Sequence, residues 1–170
     1  MEQYLLFLLI LLVGIPLLIA SYSDYKTRKV PVKIWYPAVF IALPLAMIIL
    51  GIDIWNGVIN VTYSYYSVPI AFSIIIICIF GIIAHSDKYI KMGGADYIAI
   101  VTIIIVLSSI NLYLSPIYFI IFFIFAFQTI LFVKYKKVEV IPLIITITIA
   151  YFTTIILFLL KTNLGTLPLV

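Results

Sequence analysis

Charge is what this sequence has least of. Only 9% of its 170 residues are Asp, Glu, Lys or Arg, against about 25% in an ordinary soluble domain. Hydrophobic residues make up 66%, where about 45–50% is usual. That balance excludes a water-soluble globule, a disordered chain and a nucleic-acid-binding domain. Histidine and cysteine occur once each, as His85 and Cys78. One cysteine permits no internal disulfide, zinc cluster or CxxC redox pair. One histidine among scattered acids gives no ligand spacing such as HExxH, so neither a metal nor a cofactor is expected. Cys78 is predicted near mid-helix, about two turns from His85. Ser73, Ser108 and Ser109 have no basic neighbour in sequence, so no nucleophilic set is visible.

Long apolar runs are what the chain has in abundance, with a mean hydropathy of +1.36. A bilayer core needs roughly 20 mostly apolar residues in a helix, with about 17–25 as the working range. Six stretches qualify: Tyr4–Tyr22, Ile34–Leu50, Tyr66–Ala84, Met92–Ile110, Pro116–Val133 and Val140–Leu160. None shows the alternating polarity of barrel strands. The expectation is an all-α membrane protein, one bundle of six transmembrane helices over residues 1–170, with no large soluble domain.

The basic residues orient it. Lys26, Arg28, Lys29, Lys33, Lys88, Lys91, Lys134, Lys136 and Lys137 are nine of the ten. With six crossings all nine fall on one side, which the positive-inside bias assigns to the cytoplasm. Both termini then lie outside, in a multi-pass protein of the plasma membrane. The first span is expected to be retained, because Glu2 precedes it, its positive charges follow it, and its apolar run exceeds a signal-peptide core. Tyr22, Tyr25, Trp35 and Tyr36 on one side, and Trp55, Tyr63, Tyr65 and Tyr66 on the other, read as interfacial anchors. His85 reads as interfacial as well.

Six acids remain. Glu2, Asp53, Asp87 and Glu139 read as solvated loop charges. Asp24, ending the first span, and Asp96, opening the fourth, share one membrane depth on the cytoplasmic side. An acid at the hydrocarbon edge is a functional candidate. Helix capping accounts for Asp96 taken alone, but an acid at a helix C-terminus opposes the dipole, so it does not account for Asp24. Before Asp96 stand Gly93, Gly94 and Ala95, three small residues that let another backbone come close. Two carboxyls a few ångströms apart share a proton, and their apparent pKa values split. The ionised one can draw a proton from water while the protonated one donates to a carbonyl oxygen. Amide hydrolysis without a covalent intermediate is the chemistry open to such a pair.

At these residues the sequence resembles the type IV prepilin peptidase family, intramembrane aspartyl proteases of the GxGD kind. Asp24-Tyr25-Lys26-Thr27-Arg28-Lys29-Val30-Pro31 matches the first family motif, with an arginine four residues after the aspartate and an apolar-Pro pair. Gly93-Gly94-Ala95-Asp96 matches the second, with Ala95 in place of the last glycine, a variant closest to the archaeal prepilin and preflagellin (archaellin) peptidases. Val32 and Ile98 stand where bacterial members often carry Asn and Lys. The resemblance implies a six-helix fold, catalytic Asp24 and Asp96, and support from Gly93, Gly94, Ala95 and Arg28. It names no residue for substrate binding. The implied substrate is a prepilin or preflagellin precursor, whose short basic leader is cut from an apolar helix at the cytoplasmic membrane face. Asp87 and Glu139 are expected to offset the basic surface that this leader meets. Paired CxxC motifs of the bacterial methylating members are not present, so a coupled methyltransferase activity is not expected. The alternative from a different class is a small six-helix transport protein or substrate-binding membrane subunit without protease activity. Oligomeric state is not legible in the sequence.

Overall fold

The computed structural model describes residues 3–27, 30–59, 64–85, 94–136 and 143–163, and they are helical throughout apart from short turns. Helix α1 runs Gln3–Thr27. The second rod begins as a 3-10 turn, Val32–Trp35, widens to a π-helical stretch, Ala38–Ala42, and continues as α2, Leu43–Trp55. Then follow α3 (Ser64–His85), α4 (Gly94–Ile110), α5 (Leu114–Lys136) and α6 (Leu143–Asn163). Among the described residues, three rods are long and apolar enough to cross a membrane: Tyr4–Thr27, Val32–Trp55 and Leu143–Lys161. The other three carry shorter apolar runs, Tyr66–Ile82, Ala95–Ile110 and Leu114–Thr129.

Helix α4 is the hub. It packs against α1, α2, α3, α5 and α6. Ala99, Ile100, Ile103, Ile104, Val106 and Leu107 along it are all buried. A helix apolar on every face suits such a position, because no side of it meets water. The peripheral helices are also apolar outward. On α1, Leu9, Val13, Leu17 and Ala20 face the core, while Phe7, Leu11, Ile15 and Leu18 on the other side are half exposed. The second rod packs on both α4 and α1, and its Trp35, Ala38, Ala42 and Ala46 are all fully buried, as is Ala99 on α4. Small side chains let two backbones approach closely, and dispersion then accumulates over many contacts.

Pairs of polar groups fix which ends meet. Ser21, late in α1, shares a 2.7 Å hydrogen bond with Thr148, early in α6. Thr129, late in α5, is 3.5 Å from Thr146, early in α6. Ser73, in the first half of α3, is 2.9 Å from Ser115 at the start of α5. Gly81, late in α3, lies against Tyr97 in the first turn of α4, where a Cβ would stand 3.2 Å from the tyrosine hydroxyl. Together these contacts gather the ends of α1, α3 and α5 and the starts of α4 and α6 at one end of the bundle. Tyr151 adds a seam bond at mid-height, its hydroxyl donating to the Ile10 carbonyl at 3.0 Å.

Helix boundaries differ from expectation, most of all in the first two rods. Helix α1 continues past Tyr22 to Thr27, so Asp24 lies within its last turn instead of closing it. The hydroxyl of Thr27 donates to the Ser23 carbonyl at 2.9 Å, and Lys26 suits the helix C-terminus. The second rod likewise extends beyond Ile34–Leu50 at both ends. Hydropathy marks where apolar residues stop, whereas a helix stops where its backbone bonds run out.

Candidate active site

The bundle end just described carries both acids that the sequence singles out. Asp24 stands seven residues after Leu17 and four after Ala20, both buried, so it continues the inward stripe of α1. Tyr22 and Tyr25, on the other side of that turn, are exposed. Asp96 stands three and four residues before buried Ala99 and Ile100, and seven before Ile103. It opens a helix that is enclosed by neighbours on every side. Both carboxylates are half-buried, and the helices that bear them pack against each other. Asp96 lies in the first turn of α4, at the positive end of that helix.

Ala95 is buried directly before Asp96. The 3-10 turn Val32–Trp35 packs on both α1 and α4. Trp35 on that turn is fully buried, and its indole N–H has no hydrogen-bond partner. Expected as an interfacial anchor, Trp35 instead fills the junction of the second rod with α1 and α4. The signal for this was in the sequence: Trp35, Ala38, Ala42 and Ala46 recur at three- and four-residue steps, one face of a helix. Tyr22, Tyr25 and Tyr36 are exposed at this end, and Trp55 at the other.

The structure brings Asp24, Gly94, Ala95 and Asp96 to one end of the bundle. Arg28 and Gly93 lie outside the described residues, as do Asp87, Lys88, Lys91 and Glu139. Lys26 and Lys33 are exposed at the same end, and Lys134 and Lys136 stand on the last turn of α5 there. Among the described residues no three acidic, histidine or cysteine side chains gather as metal ligands. Comparison with family models, curated proteins and solved structures found no match.

Proposed function

We propose that this chain is a membrane-embedded aspartic endopeptidase that removes the short basic leader of type IV prepilin-like or preflagellin precursors. The observation that carries this reading is the placement of Asp24 and Asp96, both half-buried, on two helices that pack against each other, at the same end of the bundle. All six rods cross the bilayer, the two aspartates sit at its cytoplasmic face, and both termini lie outside. Apolar outer faces on α1, the second rod, α3, α5 and α6 support that embedding, since exposed apolar surface on this scale has no place on a soluble monomer. The clustering of Lys26, Lys33, Lys134 and Lys136 at the aspartate end supports the orientation.

The two carboxyls share one proton around a water molecule. The ionised one takes a proton from that water as its oxygen attacks the scissile carbonyl carbon. The other donates its proton to the carbonyl oxygen, and a tetrahedral diol forms. Collapse breaks the C–N bond, and the departing amine receives the proton. The small residues Gly94 and Ala95 before Asp96 suit an extended peptide lying against the helix start. A precursor crossing the membrane beside the bundle presents its leader junction at this depth.

The test is leader removal in membranes that contain the protein and a candidate prepilin, followed by gel shift. Asp24→Asn and Asp96→Asn should each slow cleavage by at least about a hundredfold, the lower range for loss of a general acid or base. Both variants should still accumulate. Cleavage by either at near the wild-type rate refutes the assignment.

A further inference from the structure

The opposite end of the bundle holds a cavity of about 260 Å³. Among the described residues, its walls come from three places: Asp53 and Ile59 at the end of the second rod, Tyr66 at the start of α3, and the turn from Ser108 through Asn111 to Tyr113 that joins α4 to α5. This turn and the Asp53 loop are held by their own backbone bonds. Ile59 N–H donates to the Asp53 carbonyl at 3.0 Å, after a reversal through Gly57 at φ +70°. Asn111 accepts the Tyr113 N–H on Oδ1 at 2.9 Å, and its carbonyl accepts the Leu114 N–H.

Three negative features converge here. The second rod and α4 both end at this cavity, and a helix C-terminus carries roughly half a negative charge. Asp53 lies in the last turn of its helix, where a carboxylate works against the dipole. It is half-buried and lines the cavity. An acid placed so unfavourably for its own helix makes electrostatic sense opposite a cation. Ser108 lines the cavity, and its hydroxyl oxygen, enclosed just behind that wall, has no hydrogen-bond partner. A buried polar group without a partner is costly, and here a ligand N–H would supply one. Tyr66 and Tyr113 add aromatic surface of the kind that attracts cations. One carboxylate among hydroxyl and amide oxygens matches a singly charged donor of several N–H bonds. The volume lies below the roughly 300–1,000 Å³ of drug-sized sites, which suits a small ligand or a lipid headgroup.

The geometry points to a binding site for a primary ammonium group, carried by a free small amine or by an aminolipid headgroup, with Asp53 as counter-charge and Ser108 as acceptor. It uses neither Asp24 nor Asp96, so it stands or falls apart from the peptidase reading.

The experiment titrates ethanolamine into the full chain in micelles free of aminolipid. In parallel, native mass spectrometry compares retained phosphatidylethanolamine with phosphatidylglycerol. Ethanolamine should bind at least about tenfold more tightly than choline, which has no N–H to donate. Asp53→Asn should weaken ethanolamine by at least about tenfold and Ser108→Ala severalfold, while Asp96→Asn changes nothing. The unfolding midpoint of each variant identifies any that are simply misfolded. Preferential retention of phosphatidylethanolamine assigns the lipid source, and ethanolamine binding without it assigns the free amine. Neither ethanolamine binding nor phosphatidylethanolamine retention, or binding that is equal in Asp53→Asn, overturns the proposal. Should Asp53→Asn fail to fold, unchanged affinity in Ser108→Ala overturns it instead.

Discussion

Gly14 offers a sharp test of how tightly α1 and α6 are joined. A Cβ at this position would stand 3.3 Å from Cζ of Phe152, 3.6 Å from its Cε1 and 3.7 Å from Cε1 of Tyr151. Only the first distance is short, and it involves the tip of a half-buried ring that needs to yield a few tenths of an ångström. Replacing glycine by alanine inside a helix gains about 0.5–1 kcal/mol. Gly14→Ala should therefore lie between no change and about 1 kcal/mol of added stability. Gly14→Leu is different, because its further carbons extend into the space that Phe152 and Tyr151 already fill. Overpacking of this kind costs about 1–3 kcal/mol. It also pries at the Tyr151 hydroxyl bond to the Ile10 carbonyl, one turn away. Unfolding of the full chain in mild detergent, by heat or by titration with a denaturing detergent, should rank Ala at or above wild type and Leu well below. Adding Phe152→Ala to Gly14→Leu should recover part of the loss that leucine causes in the wild-type background. A Gly14→Leu protein as stable as wild type would refute the close seam and the reasoning behind it.

Two further outcomes follow from the same packing. Tyr151→Phe removes a buried hydroxyl bonded at 3.0 Å, and should cost about 0.6 kcal/mol, the average for such bonds between helices in lipid, in the same unfolding assay. Ala42→Leu adds three carbons between the second rod and α4 at a fully buried site. It should cost about 1–3 kcal/mol, and it should lower leader cleavage because α4 carries Asp96.

Much of this architecture is written in hydropathy. Six apolar runs correspond to six rods, since continuous apolar sequence of that length has few folds open to it besides helix. Asp24 and Asp96 stood out as acids at the edges of such runs. Helix ends were less legible: Ser23 to Thr27 are polar yet helical, and only the hydroxyl of Thr27 turning back on Ser23 shows why. Partner choice was not legible at all. Nothing in a run of isoleucines says that α4 touches every other helix, because that depends on which faces meet. The alanines at 38, 42 and 46 with Trp35 were the exception, a readable face whose meaning needed a neighbour. The cavity at Asp53 was likewise hidden, because its walls come from segments up to 60 residues apart in a chain where each looks like an ordinary loop.

The π-helical stretch has a geometric effect on that alanine face. In a regular α-helix each four-residue step overshoots a full revolution by roughly 40°, so positions 38, 42 and 46 would spiral away from a straight neighbour. A widened turn rotates less per residue, and between Ala38 and Ala42 the drift runs backward. The following α-helical step from Ala42 to Ala46 then carries it forward again. Ala46 is thereby brought back toward the direction of Ala38, with Ala42 offset to one side between them. A groove that would have been helical becomes a rail, along which two straight helices can lie in contact without either having to coil around the other.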